Sequence, residues 1–117
     1  MNRQQLFKTF SEYTAYGRPH YKAARPGAFE LVRAKIAYDW KFKDAVVDAL
    51  LARFNDYSDG DSRDNAKNLA KRADEALRQS LKALGLSERD ALVVFKAVRA
   101  AAYDCYCVNL NETRDFA

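Results

Sequence analysis

Both prolines of the chain, two of its four glycines and its only histidine fall between Tyr16 and Gly27, which read Tyr-Gly-Arg-Pro-His-Tyr-Lys-Ala-Ala-Arg-Pro-Gly. Proline fixes its own φ and biases the preceding residue away from helical dihedrals, so Arg18 and Arg25 are set extended or turned. With the breakers gathered here, long stretches elsewhere are free of them. No Gly or Pro occurs from Ala28 to Asp59, and only Gly60 and Gly85 interrupt the remainder of the chain. This distribution predicts an all-α protein with one non-helical connector at about 16–27.

A length of 117 residues is that of one domain, enough to bury a core without a disulfide or a structural metal. A composition of 49% hydrophobic and 31% charged residues excludes a disordered chain. The expectation is a single compact domain over 1–117 with four or five helices.

A first helix is expected from about Asn2 to Ala15, with Leu6, Phe10 and Tyr13 at helical spacing and Asn2 as its N-cap. From Ala28 the apolar residues recur at Phe29, Val32, Ile36 and Trp40, then at Val46, Val47, Leu50, Leu51 and Phe54. The periodicity falters at 40–44, where Asp44 offers a fresh N-cap, leaving one bent helix and two consecutive helices both open. The turn-forming run 55–62 comes next, and Asp61 or Ser62 caps the helix after it. That helix carries Ala66, Leu69, Ala70, Ala73, Leu77, Leu81 and Leu84 on one face.

Gly85 is placed as a C′ residue, Ser87 and Asp90 as a capping pair, and Leu86 as a staple against Ala91. The last two helices are thereby expected to form an antiparallel αα-hairpin. The final helix, from about Glu88 to Val108, is apolar over much of its circumference, which places it at the centre of the core or against a partner. A polar tail is expected over about 109–117.

The net charge of +4 is uneven. Residues 1–43 carry nine Lys and Arg against three acids, a net of +6, so the remainder sums to −2. Such asymmetry suits an anionic partner for the N-terminal third, nucleic acid or an acidic protein surface. The polar first residues and the lack of an apolar run near 20 residues argue against a membrane span and for a cytoplasmic protein. Cys105 and Cys107, two apart on a helix, point to nearly opposite sides and do not pair, which fits a reducing compartment.

Several sharper motifs fail on their own spacing. Ala83 to Asp90 has the small-residue turn of a DNA-reading helix-turn-helix, but a long helix precedes it, and Leu92 and Val93 stand where base-reading side chains are needed. An EF-hand register with Gly60 sixth puts Asn55 first, Tyr57 third and Ala66 twelfth, so the bidentate carboxylate is missing. The two cysteines and His20 do not complete a Cys/His metal set. Arg63, Lys67, Lys71, Arg78 and Lys82 lie within about 100° of one helix, but Asp74 sits among them. With Lys71–Glu75 and Asp74–Arg78 as i,i+4 pairs, the face reads as solvated.

The sequence offers no nucleophile with a base and orienting partner and no glycine-rich phosphate loop, so no catalytic, cofactor-binding or metal residue is assigned. The expected function is that of a small non-enzymatic helical protein that binds another protein as an adaptor, regulator or inhibitor. Its candidate contact residues are Tyr16, Arg18, His20, Tyr21, Lys22 and Arg25 in the connector, with Trp40, Tyr103 and Tyr106. Three alternatives stay open: nucleic-acid binding by the basic N-terminal third, a homo-oligomer formed through the last helix, and an enzyme with an unrecognised site.

Overall fold

Three helices open on a side-chain acceptor supplied by the sequence. In the computed structural model, which describes residues 2–15, 28–58 and 63–115, the elements are α1 (Arg3–Ala15), α2 (Ala28–Tyr38), α3 (Trp40–Ser58), α4 (Arg63–Ala83) and α5 (Glu88–Asp115). At the head of α1 the Asn2 carboxamide accepts from the Gln5 amide at 2.9 Å while the Gln5 side chain accepts from the Asn2 amide at 3.3 Å. This reciprocal pair is a capping box. The expected connector at 16–27, and with it Tyr16, Arg18, His20, Tyr21, Lys22 and Arg25, lies outside the described residues, as do the expected caps Asp61 and Ser62.

Residues 28–58 form two helices, and the boundary falls at Asp39 rather than at Asp44. The Asp39 carboxylate accepts from the amides of Lys41 and Phe42 at 3.0 and 3.2 Å, which satisfies two free donors of α3. Asp39 itself still donates to the Lys35 carbonyl at 2.9 Å and accepts from Lys43 at 3.1 Å, so the chain kinks with little loss of backbone pairing. Asp44 instead faces the Arg3 guanidinium at 4.0 Å, beside the closer Arg3–Asp48 pair at 3.0 Å.

The turn between α4 and α5 is built on Gly85, whose φ of +94° is open to glycine at little strain. Its amide donates to Lys82 O at 2.9 Å and Leu86 donates to Leu81 O at 3.2 Å, the two bonds of a Schellman motif. Ser87 Oγ then accepts from the Asp90 amide at 3.1 Å and opens α5. Leu86 and Ala91 are buried in the same core cluster, as expected of a staple.

Helix α3 packs against all four other helices and is the hub of the bundle. Its buried Phe42, Val46, Leu50 and Phe54 meet Leu6, Phe10 and Tyr13 of α1, Val32 of α2, Leu77 and Leu81 of α4, and Val94, Val98, Ala101 and Ala102 of α5 in one continuous core. The apolar circumference of α5 therefore goes largely into this core. Leu92 and Val108 do not, and neither does Leu69 of α4; all three are exposed. The expected end of α5 near Val108 is also passed, since the helix continues to Asp115. At 1.5 Å per residue its 28 residues span about 42 Å, close to the 45 Å long axis of the molecule.

The turn-forming run likewise begins later than its composition suggests, because 55–58 are still helical. One local and one tertiary contact hold that last turn: Asp56 pairs with Arg53 of the same helix at 3.1 Å, and Tyr57 packs against the Tyr103 and Tyr106 rings of α5. Among the described residues no helix is long and apolar enough to cross a membrane.

Candidate functional site

Two surfaces carry distinctive chemistry, one at each end of α3. The first is the corner where α2 turns into α3. Leu31 and Tyr38 are two turns apart on one face of α2, and both are exposed. Tyr38 is 91% exposed and Trp40, just past the kink, is 69% exposed. The Lys41 ammonium lies 5.8 Å from the Trp40 ring centroid. Asp39 fixes the corner through its cap and through a 3.2 Å ion pair with Lys35.

The second surface is built from three helices. Helices α4 and α5 each pack extensively on α3 but touch one another little, and a groove of about 480 Å³ opens between them. Arg53 and Tyr57 of α3 form its floor, Lys67, Lys71, Asp74, Glu75 and Arg78 line the α4 side, and Phe95 and Arg99 line the α5 side. Asp74 is the centre of its electrostatics. Its carboxylate accepts from Arg53 at 2.5 Å and lies 3.7 Å from Arg99, while the other side of Arg53 binds Asp56 at 3.1 Å. The Arg53 Nε is buried and has no hydrogen-bond partner among the described residues.

Neither expected i,i+4 pair of α4 forms among the described residues. Asp74 turns inward to arginines of α3 and α5, and Arg78 reaches Glu88 across the hairpin at 2.8 Å. Glu75 accepts instead from the Gln79 amide at 2.9 Å. The face read as a solvated stripe is thus one wall of a groove, because a second helix stands opposite it.

At the Tyr57 end of the groove three tyrosines meet. Tyr57 and Tyr103 are edge to face with centroids 5.6 Å apart, and Tyr106 lies 6.4 Å from Tyr57 and 6.3 Å from Tyr103. Tyr103 is 52% exposed, while Tyr57 and Tyr106 are half-buried. A hydrogen bond with Cys107, and then the charge that thiol can carry, hold the Tyr103 phenol above its ordinary pKa. On another face of α5, Cys105 is buried with its sulfur 3.3 Å from Thr9 Oγ1, away from the tyrosines.

Of the residues singled out from sequence, the fold brings Tyr103 and Tyr106 together and separates both from Trp40. Residues 40 and 57 are the two ends of α3, about 25 Å apart along its axis. Sequence reasoning missed Arg53, Tyr57 and Arg99. Their signal was weak in one dimension, since each sits in an ordinary amphipathic pattern and acquires meaning only from the helices packed beside it.

The basic N-terminal third looks different in space. Arg3 pairs with Asp48, Arg33 with Glu30 at 3.3 Å and Lys35 with Asp39, while the Lys43 ammonium lies 4.9 Å from the Phe7 ring centroid. Arg33 also donates to the Thr14 carbonyl at 2.7 Å, tying α2 to the C-terminal end of α1. The acids paired with Arg33 and Lys35 are already counted in the +6, so of these cations only Arg3 is paired with acids from outside residues 1–43. Among the described residues no group of Cys, His, Asp and Glu is arranged to hold a metal ion. No family model, curated protein or solved structure matches this chain.

Proposed function

We propose that this chain is a non-enzymatic binding protein of adaptor, regulator or inhibitor type, and that its partner is another protein met across the α2–α3 corner. One observation carries the reading: Trp40 and Tyr38 stand 69% and 91% exposed on a kink whose geometry is fixed by Asp39. Large rings each remove about 150–250 Å² from water when covered, and leaving two of them exposed forgoes that gain. Tryptophan and tyrosine are also the residues that most often dominate interface energetics. Leu31 extends the patch along α2, and a corner held by backbone caps loses little freedom on docking.

Photo-crosslinking in the native host tests this. A photoreactive side chain at position 38 or 40 is expected to capture a protein that the same probe at the exposed position 75 does not, and nuclease treatment is expected to leave the capture intact. The double change Tyr38→Ala with Trp40→Ala should abolish association while shifting Tm by about 2 °C or less, because exposed side chains contribute little to the fold. Capture that depends on nucleic acid, or association that survives the double change, would refute the reading.

A further inference from the structure

We infer that the groove between α4 and α5 is a binding site for single-stranded nucleic acid, with phosphates laid along α4 and a base stacked on the tyrosines at its end. This rests on residues at the opposite end of α3 from the aromatic corner and stands independently of it.

The cations form a line. Lys67, Lys71, Arg78 and Lys82 recur on one face of α4 at steps of one and two turns, spanning about 22 Å of helix, with Arg78 also paired to Glu88. A line of charge suits a linear polyanion better than a compact one. Of the two acids lining the groove, Asp74 is paired with Arg53 and Arg99, while Glu75 accepts from the neutral Gln79 amide and is outnumbered by the cations around it. Lys67 and Lys71 have no ion-pair partner among the described residues, and both are exposed.

The groove then runs to Tyr57, in edge contact with the exposed ring of Tyr103. An acidic peptide would satisfy the lysines but would give that ring no particular role. A duplex has its bases already stacked on one another. An unpaired base offers a free face to an exposed tyrosine, and cations beside stacking rings are the recurring make-up of single-strand sites.

The test is fluorescence anisotropy of a labelled single-stranded oligonucleotide of mixed sequence with the full chain, at about 50 and about 200 mM salt. The wild type is expected to bind and to weaken as salt rises. Lys67→Glu with Lys71→Glu should weaken binding at least about tenfold and flatten the log–log salt slope by about 1.4, since each phosphate contact on a single strand contributes about 0.7. Tyr103→Ala should weaken it about 5- to 150-fold, whereas Tyr103→Phe, which keeps the stacking face, should bind like the wild type. Lys8→Glu with Lys43→Glu, a charge-matched change on the α1–α3 side, should alter it less than about threefold.

No binding at the lower salt, an equal loss in that control, or unchanged binding by Tyr103→Ala overturns the inference. Displacement of the oligonucleotide by an equal concentration of a polyglutamate peptide also overturns it, in favour of an acidic protein segment. All the altered side chains are exposed, and unchanged helical circular dichroism confirms that the variants remain folded.

Discussion

Asp39 serves two helices with one carboxylate. One oxygen caps α3 through the amides of Lys41 and Phe42, and the other pairs with Lys35 in the last turn of α2. The Phe42 bond first, and then the bond from Lys35, hold its pKa below the ordinary aspartate value. A carboxylate with a lowered folded-state pKa contributes stability in full above the unfolded value of about 3.9, and that contribution is lost as pH falls through the folded value. Asp39→Asn keeps an N-cap acceptor but cannot ionise. It should therefore melt below the wild type at neutral pH, by about 2–4 °C, with the gap closing towards about pH 2. Thermal melts across that range check it, and a gap that persists in acid would show the charge to be irrelevant. Elsewhere the weight of an ion pair depends on burial. Arg53 and Asp74 are only 12% and 17% exposed, whereas Arg78 and Glu88 are largely in water. Breaking a fully buried pair costs about 3–5 kcal/mol, and an exposed pair contributes about 0–1. The groove thus has a stiff floor and loosely held walls, an arrangement that leaves its outer cations available to a ligand.

At the scale of elements, the caps written in local sequence are the ones that formed. Asn2 with Gln5, and Gly85 followed by Ser87, each act within three to five residues, and no distant part of the chain is needed to complete them. At the α2–α3 boundary the sequence pointed to Asp44, and Asp39 is the cap that formed. Both are good N-cap residues, and the choice fell to the register that buries Phe42 and Val46 against the core while leaving Asp44 near Arg3. The Schellman turn gives a direct test of local strain. Gly85→Ala meets nothing within 4 Å of the added carbon, so its whole effect is the left-handed backbone. It should destabilise the protein by about 1–2 kcal/mol, seen as a lower denaturation midpoint at unchanged m-value. A loss well above that would mean that the turn also sets how α4 and α5 diverge.

For the whole molecule, the decisive fact is that α3 contacts every other helix while α4 and α5 barely contact each other. Small side chains set the close approach of α5 to the core: Ala97, Ala101 and Ala102 are fully buried there. Ala101→Leu should overpack this seam and cost about 1–3 kcal/mol, readable by urea denaturation. A neutral outcome would mean that α5 can shift away from the core without loss. The same arrangement puts Trp40 and Tyr103 at opposite ends of the hub, so that a protein at the corner and a strand in the groove need not compete.

The sequence alone determined the class of fold. Long stretches without Gly or Pro, an apolar period near 3.6 and capping residues at helix ends admit only helices, because each signal acts over one or two turns. It also marked Trp40, Tyr103 and Tyr106 as unusual, but it left open which of them share a surface. The tertiary structure decided that, along with the partners of Asp74, the extent of α5 and the conversion of a basic stripe into a groove. These depend on which helix stands opposite which, and α3 brings together residues up to about a hundred positions apart in a chain of 117. Pairings at that range are fixed by the sum of core packing and leave no trace in any single stretch.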